Sequence, residues 1–326
     1  MKSRLIEFVA LLLICTMFPL IIFPLVTGML RNQDTPYSTT ISSSETEPEE
    51  GVYATVSVKM KDGSIKQLPM ESYIASVVLR EMPASFHKQA LQAQAVVART
   101  YTVRQMMVGK KHGTADVCAE SACCQGYWDV SDYLKSGGDA AKFALIADAV
   151  AQTAGQILIY NGKPIDATYF SCSGGSTEDA VAVWGSDVPY LKATDSPGEE
   201  NATHYTDTVR FSVLGFCKKL GLNDIESTDF KIGKITYTAG GGVDTIIVCG
   251  KKYHGTAVRK LLGLRSTAFV ISATGNNITI TTKGFGHRVG MSQYGADAMA
   301  NNGKDYTEIL YHYYRGVELV SLCDLY

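Results

Sequence analysis

The pattern of apolar and polar residues divides the chain into three stretches of different character. Residues 8–30 form an almost uncharged run that is long enough to cross a bilayer, which needs about 20 apolar residues. Residues 31–50 are rich in Ser, Thr and Glu with almost no large apolar side chain, so we predict a disordered linker there. In residues 51–326, apolar positions recur with the spacing of strands and helices, which predicts one folded domain.

Short runs of strand and helix spacing are mixed within that domain. Apolar residues alternate on both sides of Asp62-Gly63, a favoured two-residue turn, so a hairpin opens the domain. The next helix ends near Glu81, because Pro83 disfavours helix at the residue before it. A long, alanine-rich helix follows over Ala84–Met107. The other predicted elements are strands at Tyr53–Met60, Ile65–Leu68, Gln156–Tyr160, Ile165–Phe170, Lys234–Tyr237, Thr245–Val248, Phe269–Ser272 and Ile278–Thr282, and helices at Met70–Glu81, Ala140–Ala151, Phe211–Gly221, Ser292–Met299 and Tyr306–Tyr314.

The order of these elements lacks the regular βαβ repeat of a doubly wound sheet. We therefore predict an α+β fold of mixed helices and antiparallel hairpins, with a core domain and a β-rich subdomain, preceded by a single transmembrane helix at residues 8–30. Lys2 and Arg4 favour a cytoplasmic stub over residues 1–7 and a domain outside the cytoplasm. A cleaved signal peptide is the alternative, but the length of the apolar run favours an uncleaved anchor.

Composition and charge exclude several classes of protein. The chain has 30 Lys plus Arg against 32 Asp plus Glu, a formal net charge of −2, which is not typical of a nucleic-acid-binding protein. A hydrophobic content of 46% excludes a disordered chain. H-E-x-x-H, P-loop and G-x-S-x-G patterns are missing from the sequence, which argues against metalloprotease, nucleotide-binding and esterase functions.

Residues 79–101 form the first of four segments that could carry chemistry. Glu81 stands at the helix end forced by Pro83 and is followed by Met82. A carboxyl group in apolar surroundings has a raised pKa and can act as an acid. A solvated glutamate at a helix end is the alternative, and the spacing alone favours it.

The second segment, residues 112–127, is rich in cysteine. It contains His112, Cys118, Cys123 and Cys124, and an imidazole with two thiolates is a normal set of zinc ligands. A disulfide, for example between Cys118 and one of the adjacent pair, is the alternative in an oxidising compartment. The spacing alone favours neither, and two adjacent cysteines do not easily bind one metal ion.

The third and fourth segments, residues 169–185 and 284–300, combine hydroxyl, amide and glycine groups. They could present hydrogen-bond donors to a sugar polymer at close approach, or they could be turns. In this order the four segments resemble the stage II sporulation protein D family, which shares a domain with the amidase enhancer proteins. The resemblance spans about residues 52–326 and is carried by the motifs EMPASFHKQALQAQAVVARTY, YNGKPIDATYFSCSGGSTEDA, VWG with PYL and SPGE, GFGHRVGMSQYGADAMA and ILYHYYRGVEL.

This resemblance implies a membrane-anchored lytic transglycosylase. Such an enzyme cleaves the MurNAc-GlcNAc bonds of peptidoglycan glycan strands and leaves 1,6-anhydroMurNAc ends, here on peptide-stripped strands during engulfment of the forespore. The implied location is the mother-cell membrane facing the forespore, as a single-pass protein. The implied partners are the glycan strands, the sporulation amidase and endopeptidase P and the membrane protein M. A non-catalytic wall-binding enhancer of an N-acetylmuramoyl-L-alanine amidase is the alternative.

The resemblance also implies roles for individual residues. Glu81 falls on the glutamate of the family's E-M-P motif, which is the catalytic acid and base. His112, Cys118 and Cys124 match a structural zinc (Zn²⁺) site that some members carry and that the chemistry does not require. The candidate sugar contacts, which rest on motif membership alone, are Tyr169, Ser171, Ser173, His287, Ser292, Gln293 and Tyr294.

Two positions depart from the usual family pattern. Arg288 stands where glycine is commoner, which argues against close backbone approach at that turn, and Cys172 stands where threonine is common. Arg99, within the first segment, is expected to be structural and to pair with a helix neighbour, with contact to substrate carboxylates as the alternative.

Overall fold

Helices and strands are mixed along the chain in the computed structural model, which describes residues 54–109, 111–203, 205–223 and 229–325. The helices of this part are α1 (Met70–Glu81), α2 (Lys88–Val108), α3 (Val130–Lys135), α4 (Ala140–Ala151), α5 (Ala180–Trp184), α6 (Val213–Lys219), α7 (Gly255–Leu262), α8 (Gln293–Asn301) and α9 (Tyr306–Tyr313), with a 3₁₀ helix at Leu322–Leu325. Its strands are β1 (Thr55–Lys59), β2 (Ile65–Pro69), β3 (Val117–Cys118), β4 (Gln156–Tyr160), β5 (Lys163–Pro164), β6 (Tyr169–Phe170), β7 (Gly175–Ser176), β8 (Asp195–Ser196), β9 (Thr206–Ser212), β10 (Ile232–Tyr237), β11 (Val243–Val248), β12 (Lys251–His254), β13 (Phe269–Thr274), β14 (Asn277–Lys283), β15 (Met291–Ser292) and β16 (Glu318–Ser321).

One part of the predicted fold class, the transmembrane helix, needs correction. Among the residues that the structure describes, no helix is both long enough and apolar enough to span a bilayer. The described residues therefore form a mixed α/β fold and give no support to the predicted transmembrane helix or to the single-pass location that depended on it. The predicted anchor at residues 8–30, like the stub and the linker around it, lies outside the described residues.

Helix α2 lies at the centre of the folded domain. It packs against α1, α4, α8, α9 and β4, and its residues Ala90–Thr100 are all buried. The alanines among them let these neighbours approach closely. The helix begins at Lys88, later than predicted, because the ring of His87 accepts a hydrogen bond from the Gln89 backbone N–H (3.3 Å) and caps it.

Arg99 of α2 is structural. It is fully buried and donates from Nε to Glu71 Oε1 at 2.9 Å and from Nη1 to the Gln156 carbonyl oxygen at 3.1 Å. The guanidinium group thus ties α2 to α1 and β4, and its two-pronged pairing with Glu71 satisfies a buried charge.

Two parallel strand pairs bring distant segments of the chain together. The predicted first hairpin is present, with β1 antiparallel to β2, but β1 also pairs in parallel with β3 in the cysteine-rich segment. Similarly, β6 pairs in parallel with β15, which joins the third candidate segment to the fourth. The Cys-rich segment and the third and fourth segments therefore meet near the end of α1.

The second predicted hairpin is shorter than expected. Asn161 and Gly162 have positive φ values of 51° and 71°, as the predicted tight turn requires, and β4 pairs with β5. Strand β5 ends at Pro164, although the next backbone N–H, of Ile165, still donates to the Leu158 carbonyl oxygen at 3.1 Å. Tyr169–Phe170 was predicted to belong to this hairpin, but it pairs with β15 instead.

Residues 206–283 hold most of the longer strands and have their own apolar core. The sheets β10-β11-β12 and β13-β14-β9 enclose this core with α6 and α7, and its buried residues are separate from the cluster around α2. The helix predicted from Phe211 begins only at Val213, because Phe211 belongs to β9 and pairs with Ile278. Helix α7 and strands β9 and β12 were not predicted.

A buried arginine joins the two apolar cores. Arg288 has a positive φ of 66° and is almost completely buried. Its guanidinium group pairs with Glu178 at 2.9 Å and donates to the carbonyl oxygens of Ser173, Ser176 and Gly240, each at 2.7 Å. These four partners satisfy the buried charge of Arg288.

Candidate active site around Glu81

Glu81 is the last residue of α1 and faces a cavity of about 430 Å³. The helix ends there as predicted, because Met82 before Pro83 adopts an extended backbone (φ −123°, ψ 142°). The other residues that line the cavity are Tyr101, Ser121, Cys124, Gln125, Ala167, Thr168, Tyr169, Phe170, Ser171, Phe285, Gly286, His287 and Gln293.

The Glu81 carboxyl group is half-buried and hydrogen-bonded. The Gly126 backbone N–H donates to its Oε1 at 2.6 Å, and the side chain of Gln293 is a further partner. Burial raises the pKa of Glu81, while these hydrogen bonds and the charge of Arg80 lower it by less, so the pKa lies above the usual value. A carboxyl group with a raised pKa stays protonated closer to neutral pH, where it can act as an acid.

Gly126 is a glycine because Glu81 lies against it. A Cβ atom at this position would lie 2.5 Å from Glu81 Oε1 and 2.8 Å from Arg80 Cγ. Any other residue would displace one of these two side chains, and with it the hydrogen bond to the carboxyl group. The position of Glu81 therefore depends on the backbone of the Cys-rich segment.

Tyr169 and Gln125 form a hydrogen-bonded wall beside the carboxyl group. The Tyr169 hydroxyl donates to Gln125 Oε1 at 3.3 Å, and Gln125 Nε2 donates to Thr102 Oγ1 at 3.1 Å. Burial, followed by the charge of Glu81, raises the pKa of Tyr169 well above its usual value, so its phenol stays neutral and remains a donor. Gln125 was not predicted, although it directly follows Cys124 in the segment that was singled out.

His287 lines the cavity as a neutral ring. Its Nδ1 accepts a hydrogen bond from the Val289 backbone N–H at 3.1 Å, and its ring contacts Phe170 and Trp184 at centroid distances of 5.5 and 5.4 Å. Burial, followed by the charge of Arg259, lowers the pKa of His287 to about 4. The ring is therefore uncharged at neutral pH and suits a shape-determining role better than proton transfer.

Four of the seven predicted sugar contacts line the cavity, namely Tyr169, Ser171, His287 and Gln293. The other three do not. Ser173 is fully buried and donates to Glu199 Oε1 at 2.9 Å, while Ser292 is fully buried and accepts from the Gly295 N–H at 3.2 Å to cap α8. The Tyr294 ring packs against Phe86 at 5.0 Å. Motif membership did not reveal which hydroxyl groups serve the turns and which face the cavity.

The Cys-rich segment gathers four metal-binding side chains. The ligand atoms of His112, Cys118, Cys123 and Cys124 all lie within 4.8 Å of one another, and His112 Nε2 is 3.2 Å from Cys124 Sγ. Sulfur ligands of a tetrahedral zinc ion, at about 2.3 Å from the metal, lie roughly 3.8 Å apart, so a small contraction would let all four bind. Cys123 belongs to this cluster beside Cys124, although the sequence interpretation holds that two adjacent cysteines do not easily bind one metal ion.

This cluster is continuous with the cavity. Cys124 lines the cavity itself, and Gly126, two residues later, holds Glu81. In the structure the three cysteines are thiols. Burial, followed by the neighbouring cysteines, raises the pKa of the Cys118 thiol to about 12, and a bound cation would oppose this shift by stabilising the thiolate.

Comparison with known proteins gives consistent matches. Residues 59–160 match the family SpoIID, Stage II sporulation protein. The stage II sporulation protein D of Bacillus amyloliquefaciens is 44% identical over 261 residues, which cover 78% of this chain and 75% of the relative. That of Bacillus subtilis is 41% identical over 261 residues, covering 78% and 76%. The amidase enhancer of Bacillus subtilis is 29% identical over 302 residues, covering 76% of this chain and 40% of the enhancer.

Proposed function

Because this chain belongs to the stage II sporulation protein D family, and is thus a sporulation protein, we propose that it is a lytic transglycosylase that cleaves peptidoglycan glycan strands. The observation that carries the proposal is the half-buried Glu81 carboxyl group, which has a raised pKa and faces a cavity. The structure supports an acid at this position, and the family motif suggests its substrate.

In the proposed mechanism Glu81 acts first as an acid and then as a base. The protonated carboxyl group gives its proton to the glycosidic oxygen between muramic acid and glucosamine. The 6-hydroxyl oxygen of the same muramic acid attacks C1, the bond from C1 to the leaving oxygen breaks, and the carboxylate takes the hydroxyl proton. The products are a 1,6-anhydromuramic end and a free glucosamine 4-hydroxyl. Gly126 and Gln293 orient the carboxyl group through both steps.

The composition of the cavity is consistent with this mechanism. Among the described residues that line it, Glu81 is the one with a carboxyl group. Ordinary glycoside hydrolases use a pair of carboxylates, one of which activates water or attacks the sugar. A substrate that supplies its own nucleophile needs a single acid and base, which matches a cavity with one such group.

We also propose that His112, Cys118, Cys123 and Cys124 hold a structural zinc ion. Their clustered ligand atoms support this set, which adds Cys123 to the three predicted ligands. Zinc would supply no group to the reaction, but it would rigidify the segment that carries Gly126. Zinc content would therefore affect activity through the position of the Glu81 carboxyl group.

The experiment that tests the function is product analysis with the full-length chain. Purified glycan strands, stripped of stem peptides, are incubated with the wild-type protein and with Glu81→Gln, and the released fragments are identified by mass spectrometry. We expect 1,6-anhydromuramic ends with the wild type and a rate lower by about 10³-fold with Glu81→Gln, which keeps the size and polarity but cannot transfer the proton. Reducing ends would indicate a hydrolase, and undiminished cleavage by Glu81→Gln would contradict the assignment of the acid.

A wall-binding amidase enhancer is the second candidate, favoured by the 29% identity to an amidase enhancer. Under that alternative the same cavity binds strands without cleaving them. Strand binding with no fragments, together with faster stem-peptide release when a sporulation amidase such as protein P is added, would favour the enhancer. Under the lytic transglycosylase proposal, prior treatment with this amidase supplies the stripped strands, and membrane protein M would be a further partner.

A further inference from the structure

A second cavity, of about 320 Å³, adjoins the one in front of Glu81. The two cavities share Ser121, and the wall of the second includes the cationic side chains of Lys61 and Arg80. Its remaining lining residues are Ala119, Glu120, Ala122, Gly126 and Tyr127. Neither the sequence motifs nor the proposed mechanism assigns a role to these two cations.

Gly126 packs against both the Glu81 carboxyl group of the first cavity and the stem of the Arg80 side chain, which lines the second. Arg80 and Glu81 are consecutive residues at the end of α1, and consecutive helical side chains point about 100° apart. A Cβ atom on Gly126 would touch both side chains, at 2.8 Å from Arg80 Cγ and 2.5 Å from Glu81 Oε1. Glu81 and Arg80 therefore line adjoining cavities that also share Ser121.

The charge of the second cavity suits a carboxylate. Two cations, Lys61 and Arg80, face one anion, Glu120, whereas the chain as a whole carries a formal charge of −2. The Arg80 guanidinium carbon lies 5.9 Å from the centre of the Trp128 ring, and this contact helps to orient the planar group. A planar guanidinium group can bind a carboxylate through two parallel hydrogen bonds.

We propose that this second cavity binds the free lactyl carboxylate of muramic acid in peptide-stripped strands, with Arg80 and Lys61 as the recognising cations. The inference rests on the proposed function. The lactyl group is attached to the same sugar ring whose C1 forms the bond to be cleaved, so it accompanies that bond to Glu81. Removal of the stem peptide converts a neutral amide of this group into an anion. The cavity would therefore select strands that an amidase has already processed.

Changing the substrate and the protein in parallel tests this inference. Stripped strands are divided into two portions, and in one portion the lactyl carboxylates are converted into primary amides with a carbodiimide and ammonia. With the wild-type protein we expect the amidated strands to show a KM about tenfold higher and a similar kcat, because a charge-assisted pair is lost. With Lys61→Met and with Arg80→Gln, we expect this preference for the free carboxylate to shrink towards one.

The design separates recognition from an effect on the acid. The charge of Arg80 also acts on the Glu81 carboxyl group, so Arg80→Gln could change the rate without any contact to substrate. Such an effect would be equal on both substrates and would shift the pH profile of kcat, which would overturn the inference for Arg80. Lys61 is not adjacent to Glu81 in the chain and provides the second variant. Lys142→Met, an exposed charge removal on α4, should leave the preference unchanged.

Binding measurements keep this inference distinct from the proposed function. Calorimetric titration of Glu81→Gln with stripped and amidated strands reports recognition without turnover. If the wild type releases no fragments but this variant still prefers the free carboxylate about tenfold, the transglycosylase proposal fails and the carboxylate site stands. If fragments form but neither KM nor affinity depends on amidation, the carboxylate site is refuted while the transglycosylase remains.

Discussion

The backbone N–H of Gly126 donates to Glu81 Oε1 at 2.6 Å, so a glycine of the Cys-rich segment fixes the carboxyl group at the end of α1. A Cβ atom at position 126 would lie 2.5 Å from that oxygen. Overpacking of this kind typically costs about 1–3 kcal/mol of folding free energy and moves the weaker partner. We therefore expect Gly126→Ala to turn the carboxyl group away from the cavity.

Glycan cleavage should show this displacement more strongly than stability does. A shift of about 1 Å in a catalytic group can lower the rate roughly 10²-fold, so kcat of Gly126→Ala should fall by about that factor. The matched control is Gly215→Ala in helix α6, where a Cβ would meet Ser212 Oγ at 3.0 Å, outside the residues that line the cavity. Full activity in Gly126→Ala with unchanged binding would mean that the hydrogen bond does not position the acid.

Local sequence rules found the end of α1 but not its surroundings. Pro83 placed the helix end, and the family motif then pointed to Glu81. The donor Gly126 is 45 residues away from Glu81 in the chain. It lies near the carboxyl group because β3 of the Cys-rich segment pairs in parallel with β1 of the first hairpin. Periodicity describes which face of one element is apolar, and it carries no information about parallel partners distant in the chain.

The same limit explains why some of the motif residues line the cavity while others are buried in turns. Hydroxyl and amide groups in glycine-rich turns either satisfy buried backbone and carboxylate groups or face a ligand, and the sequence pattern is the same in both cases. The Ser173 hydroxyl donates a hydrogen bond to the buried Glu199, whereas Ser171, two residues earlier, lines the cavity. A Cβ atom at Gly174 would lie 2.8 Å from the Gly284 nitrogen, so the lack of a side chain lets the turn approach Lys283 and Gly284 closely.

Gln293 should tune the pH dependence of the proposed reaction. Its hydrogen bond to Glu81 stabilises the carboxylate and lowers its pKa, against the larger opposing effect of burial. In Gln293→Met this donor is lost, so the pKa rises further and the acid stays protonated to higher pH. The alkaline limb of the kcat profile should therefore move to higher pH.

The profile of kcat against pH, measured on stripped strands, provides the check. Tyr169→Phe removes a nearby phenol that also lowers the pKa of Glu81, so it should shift the alkaline limb in the same direction. A limb that stays in place in both variants, or moves to lower pH, would show that Glu81 is not the group whose protonation limits the rate.

Cys123 distinguishes the proposed four-ligand zinc site from the three-ligand site expected from the sequence. If four side chains bind zinc, Cys123→Ser should lose metal affinity as Cys124→Ser does. Metal binding contributes folding free energy, so a chelator should lower the melting temperature of the wild type by at least about 5 °C. It should have little effect on Cys123→Ser.

Metal analysis by mass spectrometry and melting curves with and without chelator measure both quantities. Cys323→Ser, outside the cluster near the end of the chain, is the matched control and should bind about one zinc ion per chain, like the wild type. If Cys123→Ser retains full zinc content and melts like the wild type, the fourth position is not filled by this sulfur.

The ion pair between Arg288 and Glu178 should be essential to stability, because both side chains are almost completely buried. Glu178→Gln would leave the guanidinium charge uncompensated, and Arg288→Met would leave the carboxylate uncompensated. Removing one partner of a buried pair typically costs about 3–5 kcal/mol. The variant with both changes should lose less free energy of unfolding than the sum of the two, because no unpaired charge remains. Urea denaturation of the wild type, the two single variants and the double variant measures this coupling. If each single change costs less than about 1 kcal/mol and the two losses add, the pair has no role in joining the two apolar cores.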